Sequence, residues 1–244
     1  VAVNPELGYT LVLAADGTGP AVGLILAEAL VDEALARYGL TLERRLAAVS
    51  GAALEGMRLQ HPLLADRQVP TILGEHVTTD AGTGAVHTAP GHGQDDYLVG
   101  CRYDLPVENP VDGAGRFLAD IADVGGLFHR DANAVLIERL RSNGRLLAHA
   151  AYRHSYPHCW RHKTPILFRA TPQWFIGLDH NGLREQALRA IGEVAFVPEW
   201  GRARIDGMVR HRPDWCISRQ RLWGVPIAFF VHKRSGEPHP RTPE

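Results

Sequence analysis

With 244 residues, 45% of them hydrophobic, a formal net charge of -1 and a pI near 7.0, the chain can bury one large core or one and a half, and it exerts no global pull on nucleic acid. Its three cysteines, Cys101, Cys159 and Cys216, form no even, closely spaced framework, which argues against a disulfide-stapled secreted domain and fits a reducing cytoplasm. No run approaches the roughly 18 apolar residues of a membrane span, and the opening VAVNPELGYT carries neither an initiator Met nor a charged leader, the pattern expected of a fragment of a longer cytoplasmic protein.

Residues 9–14 (YTLVLA) form a β-rich run closed by Asp16-Gly17. Residues 21–38 then change to helical period: Val22, Ile25, Leu26, Ala29 and Leu30 fall on one face, Glu28, Asp32 and Glu33 turn away, and Gly39 can end the helix. Short strands are expected at 46–49 and 69–73. Another, at Ala85-Val86, lies inside a polar stretch that leads into a helix near Tyr97, with Asp95 or Asp96 as its cap. A helix over 133–143 follows the Gly125-Gly126 turn and stops at Gly144. Strands mixed with a few helices and long connections make residues 1–150 an α+β domain. Past that point Trp, His and Pro become frequent, and a helix is expected near 183–190. Arg202, Arg204, Arg210, His211, Arg212, Arg219 and Arg221 then crowd one region, either a local polyanion contact or a solvated basic face.

The stretch from Thr79 to Tyr97, TDAGTGAVHTAPGHGQDDY, packs four Gly, two His and three Asp around one short apolar run. That is too polar and too flexible for core packing alone, and it reads as a binding loop whose backbone can approach a ligand closely. His87 would project from the strand end, where a neutral imidazole can orient water or a hydroxyl, although a lone His beside apolar residues is more often a satisfied core residue. Farther on, Cys159 and His162 have Cys-x-x-His spacing, which can supply two ligands to a tetrahedral zinc but cannot close a site. A metal-dependent hydrolase using His76, His87, His92 and Asp96 is an alternative. Against it, His87 and His92 sit five apart across a Pro-Gly turn, a spacing that fits no common zinc helix motif.

GTGAVHTAPGHGQDDY resembles the active-site loop of the editing domain inserted in class I aminoacyl-tRNA synthetases of the isoleucine, valine and leucine group, and HTAPGHG is most similar to the isoleucyl members. HSYPHCWRHKTPILFRATPQWF and DWCISRQRLWGVPI resemble the segments by which those chains leave the insertion and re-enter the catalytic domain. The resemblance implies an internal fragment: a barrel-like mixed β editing domain with helices over 1–150, a connecting stalk over 151–172 with half of a zinc site at Cys159 and His162, and part of a Rossmann-type α/β catalytic domain over 173–244. The partner Cys pair of that zinc site would lie upstream. A non-catalytic tRNA-binding module is a further alternative, against which the catalytic-domain residues from Trp174 to Ile227 speak.

The implied chemistry is hydrolysis of the ester joining valine to the 3′ ribose of tRNA(Ile). Isoleucine and valine differ by one methylene, about 1–3 kcal/mol in a binding pocket, and isoleucyl enzymes are the familiar example of why a second, hydrolytic site is then needed. By resemblance, Asp96 is the carboxylate that holds the α-ammonium and His87 the imidazole that limits the side chain, with Gly82, Thr83 and Gly84 shaping the adjoining wall. Trp174, Gln220 and Trp223 would line the isoleucine and adenylate pocket. The family's threonine-rich strand and its HIGH and KMSKS motifs occur nowhere in the sequence, so half of the editing site and an incomplete ATP site are expected. ATP, and any zinc, would serve the full-length parent; editing would need no cofactor. The implied partners are the acceptor end of tRNA(Ile), isoleucine and valine, in a monomeric parent without membrane contact.

Overall fold

The computed structural model describes residues 1–151, 153–220 and 224–241, which divide into two compact units, Val1–Ala170 and Thr171–Glu244. In the first unit, β1 (Ala2–Val3) is followed by β2 (Gly8–Ala15), in which Thr10, Val12 and Ala14 alternate into the core as a half-buried strand requires. β2 is the centre of a three-stranded antiparallel sheet. On one side it pairs with β3 (Val22–Ala27) from Tyr9↔Ala27 to Ala14↔Val22; helix α1 (Val31–Tyr38) follows, and β4 (Thr41–Ser50) closes the other side.

The helix expected over 21–38 is therefore correct only in its second half. Val22 and Leu26 fit a strand's period, with Leu24 between them, as well as the helical one, and the unpaired edge of β2 offers a full ladder to the first half, so the backbone takes the sheet. α1 then lays Val31, Ala34 and Leu35 on Val12, Ala14 and Leu26, and Leu40 N donates back to Leu35 O (2.9 Å) past the end of the helix.

β5 (Arg58–Gln60) and β6 (Gln68–Pro70) make a separate antiparallel pair. β7 (Ile72–Leu73) runs parallel to β1, whose other edge takes β8 (Ala85–Val86) antiparallel. Helix α2 (Gln94–Arg102) packs Val99 on Ala2, Ile72 and Val77, and α3 (Ala132–Ser142) follows later. The fold is mixed α+β, but the barrel-like sheet is not formed: among the described residues of the first unit the strands make open sheets of three, three and two. The members of the sheet that carries the motif are only two residues long, and β4 is shifted in register against β2 at two points, so no continuous ladder links the sheets.

In the second unit β9 (Phe175–Ile176) pairs antiparallel with β10 (Trp215–Cys216) around a helical hairpin of α4 (Leu183–Glu193) and α5 (Trp200–Arg210). Arg184, its side chain 15% exposed, fastens the hairpin. Its guanidinium donates to the carbonyls of Val209 (2.7 Å) and Arg212 (2.8 Å) at the negative end of α5, and Asp179 grips it from behind at 2.6 Å.

Candidate functional site

The glycine-rich loop is anchored at its N-terminal end by β3 and Tyr9. Ala27 N donates to Thr83 O (2.9 Å), and Thr83 Oγ1 takes the N–H of Ala85 (3.3 Å). Gly82 and Gly84 hold left-handed φ of 89° and 76°; a Cβ on Gly84 would lie 2.3 Å from that of Ala27. The buried Tyr9 hydroxyl donates to Gly84 O (2.6 Å) and accepts from Asn4 N (3.0 Å), and burial raises its phenol above the ordinary range, so it remains a donor. The close approach that Gly84 permits is thus to the protein's own strand.

His87 follows β8 and is exposed. Beyond it the chain turns at Ala89, whose carbonyl accepts from His92 N (2.8 Å) and whose N–H is held by Asp96 Oδ2 (3.1 Å). Asp96 lies in the first turn of α2 and reaches back seven residues, its carboxylate resting against Gly93. Among the described residues Oδ1 takes no hydrogen bond, so one oxygen shapes the loop and the other is available to a cation. The expected cap does not form. α2 starts at Gln94 on Gly93, and Asp95 sits inside its first turn, where both carboxylates complement the helix's positive end without bonding to it. The loop's far side is fixed by Ala170 N donating to Gly91 O (2.7 Å) and by His92 Nδ1 at 3.0 Å from Phe168 O. Gly91 lies so close to Glu108 that a Cβ would stand 2.1 Å from its carbonyl oxygen.

A second group of charges, absent from the motif, gathers at His61, whose imidazole also feels His87. His61 Nδ1 accepts the N–H groups of Leu63 and Leu64 (3.1 Å each), which leaves the ring's proton on Nε2. Burial first, then the positive charges of Arg67 and His87, push its imidazole below the ordinary range, while Glu108 opposes them. Glu108 also pairs with Arg67 at 2.8 Å. His61, Arg67 and Glu108 lie 20 or more residues from His87 in sequence and carry no motif; only the fold brings Arg67 and Glu108 to act on His61.

The remaining candidates are dispersed. His76 folds over Gly74 with Nε2 buried and unpartnered, His92 faces Phe168, and among the described residues no three or more His, Cys, Asp or Glu converge as a metal would need. Cys159 and His162 do meet, Sγ to Nδ1 at 3.4 Å, and the N–H groups of His162 and Arg161 lower the thiol to about 7. In the second unit Trp174 N donates to Ser218 Oγ (2.9 Å), Ser218 Oγ donates to Gln173 Oε1 (2.6 Å), and the Trp174 ring meets Phe229 edge-on at 4.9 Å. Gln220 is exposed two residues past Ser218; Trp223 lies outside the described residues. No helix among the described residues is long and apolar enough to cross a membrane.

Comparison with known proteins places these features in a family. Residues 24–244 match the model of class I tRNA synthetases (I, L, M and V). The isoleucine–tRNA ligase of Alkalilimnicola ehrlichii is 61% identical over 242 residues, covering 99% of this chain and 25% of that protein. That of Halorhodospira halophila is 60% identical over 244 residues, covering 100% and 25%, so the chain spans about a quarter of the length of the curated relatives it matches. The solved structure GlLeuRS-CP1 aligns over 58% of this chain and 59% of its own at 18% identity and a TM-score of 0.34, too loosely to bear on the fold. With nearly its whole length matched by one family model, and by relatives at about 60% identity, the chain belongs to the class I tRNA synthetases of the I, L, M and V group.

Proposed function

We propose that this chain carries part of the hydrolytic editing site of an isoleucine–tRNA ligase, and that residues 173–244 belong to its Rossmann-type catalytic domain. The observation that carries the reading is Asp96: one carboxylate oxygen holds Ala89 N while the other is open beside a loop that begins at the exposed His87. An ammonium bound at Oδ1 would align a valyl ester along the loop without drawing Asp96 into bond making, and His87 would limit the length of the side chain accepted. Water then attacks the ester carbonyl, and valine leaves the 3′ ribose of tRNA(Ile). In the whole protein Trp174, Gln220 and Trp223 would line the site where isoleucine is activated with ATP. Cys159 and His162 would give zinc two of its four ligands, the lowered thiol pKa suiting thiolate coordination.

Deacylation of valyl-tRNA(Ile) and isoleucyl-tRNA(Ile) by the full-length protein tests the reading. Valine should be released and isoleucine retained; hydrolysis of both at the same rate would count against a selective editing site.

A further inference from the structure

Between Glu138 and Asp179 the chain has no acidic residue. These forty positions hold seven Arg or Lys and four His, a net +7 against -8 for the other 204 residues and -1 overall. Within them, in the first unit, a hairpin is closed by the bridge between His158 and Pro165. Cys159 N donates to Thr164 O (2.8 Å), Lys163 N to Cys159 O (2.8 Å) and Ile166 N to Pro157 O (3.1 Å), so the tip Trp160-Arg161-His162-Lys163 has a fixed backbone. Trp160 is 69% exposed, the guanidinium of Arg161 stands 4.9 Å from its ring centroid, and Tyr156 at the base is 42% exposed.

A large indole raised on a tight turn contributes little to the core. Of the seven cations Arg139 pairs with Asp123 and Arg141 with Glu138, but Arg161 and Lys163 at the tip make no ion pair among the described residues, and cations so placed attract polyanions. Planar aromatic faces interleaved with cations suit a single-stranded nucleic acid, whose bases stack while its phosphates are neutralised. The C-terminal arginines are a weaker candidate. Arg210 is paired with Asp206, and Arg219 donates to the carbonyls of Cys216 and Ser218.

We propose that the hairpin from His158 to Pro165 is an RNA-docking tip, stacking an unpaired base on Trp160 and holding adjacent phosphodiesters with Arg161 and Lys163. The choice of RNA over other polyanions rests on the editing reading, in which the substrate carries a single-stranded 3′ end. The test is fluorescence anisotropy of the 244-residue chain with a short unstructured RNA ending in CCA, and with heparin as a polyanion without bases. Trp160→Ala should weaken RNA binding about 5- to 100-fold, the range for one lost base stack, and leave heparin binding unchanged, while Trp160→Phe keeps most of the affinity. Joint replacement of Arg161 and Lys163 by Ala should weaken both ligands and flatten the RNA salt slope by about 1.4.

Replacing the exposed Arg44 and Arg45 of β4 should change nothing. The proposal is overturned if Trp160→Ala leaves RNA affinity intact, if it lowers RNA and heparin binding alike, or if the β4 substitutions are as damaging as those at the tip. Failure of the editing reading shows elsewhere, as equal hydrolysis of the two aminoacyl-tRNAs, and leaves these RNA measurements readable.

Discussion

Asp96→Ala in the full-length protein should cut deacylation of valyl-tRNA(Ile) on the order of 10- to 100-fold, the loss of one charge-assisted hydrogen bond of about 1.5–3 kcal/mol, with isoleucine activation nearly unchanged. The side chain has two duties that Asp96→Asn separates. An amide can still accept from Ala89 N and keep the turn, but it has no charge for the substrate's ammonium. If ammonium binding dominates, Asn fails as Ala does; recovery of editing in the Asn variant would reduce Asp96 to a latch for the loop. Pyrophosphate exchange measured beside deacylation makes the comparison, and an equal fall in both would remove Asp96 from the editing step.

Gly84→Ala should destabilise the first unit by about 2–5 kcal/mol. A left-handed φ of 76° costs an alanine about 1–2 kcal/mol, and the new methyl, 2.3 Å from Ala27 Cβ, forces an overpacking cost of about 1–3 kcal/mol. Retreat is limited because Ala27 N is tied to Thr83 O and Tyr9 holds Gly84 O. Denaturant unfolding of the two chains measures the difference. A change below about 1 kcal/mol would show that the loop shifts freely and that β3 does not anchor it.

The motif was legible because it is local. HTAPGHG, Asp96 and the short strand before His87 are contiguous, and the structure keeps them within one strand–loop–helix segment. The anchors were not legible. Tyr9 lies 75 residues before Gly84 and carries no mark beyond its place in a strand, and His61, Arg67 and Glu108 come together from separate turns. Elements failed where two periods coincided, as in Val22–Ala27, or where glycine diluted the pattern. α5, with Gly201 and Gly207 inside it, has no clear signature in the sequence because its support comes from α4 and from Arg184 at its carbonyl end rather than from its own propensity. The barrel was implied by family resemblance, and the residues themselves specify only short open sheets.

A pocket beside His87 and Asp96 that admits valine and rejects one more methylene would bind valyl and isoleucyl ligands unequally, a difference that calorimetry reads. Non-hydrolysable valyl- and isoleucyl-adenosine analogues would be titrated into the 244-residue chain. Measurable binding of the valyl form is expected, with binding of the isoleucyl form weaker by about tenfold or more, the cost of forcing a methylene into a filled site. Equal affinities, or a preference for the isoleucyl analogue, would contradict such a pocket.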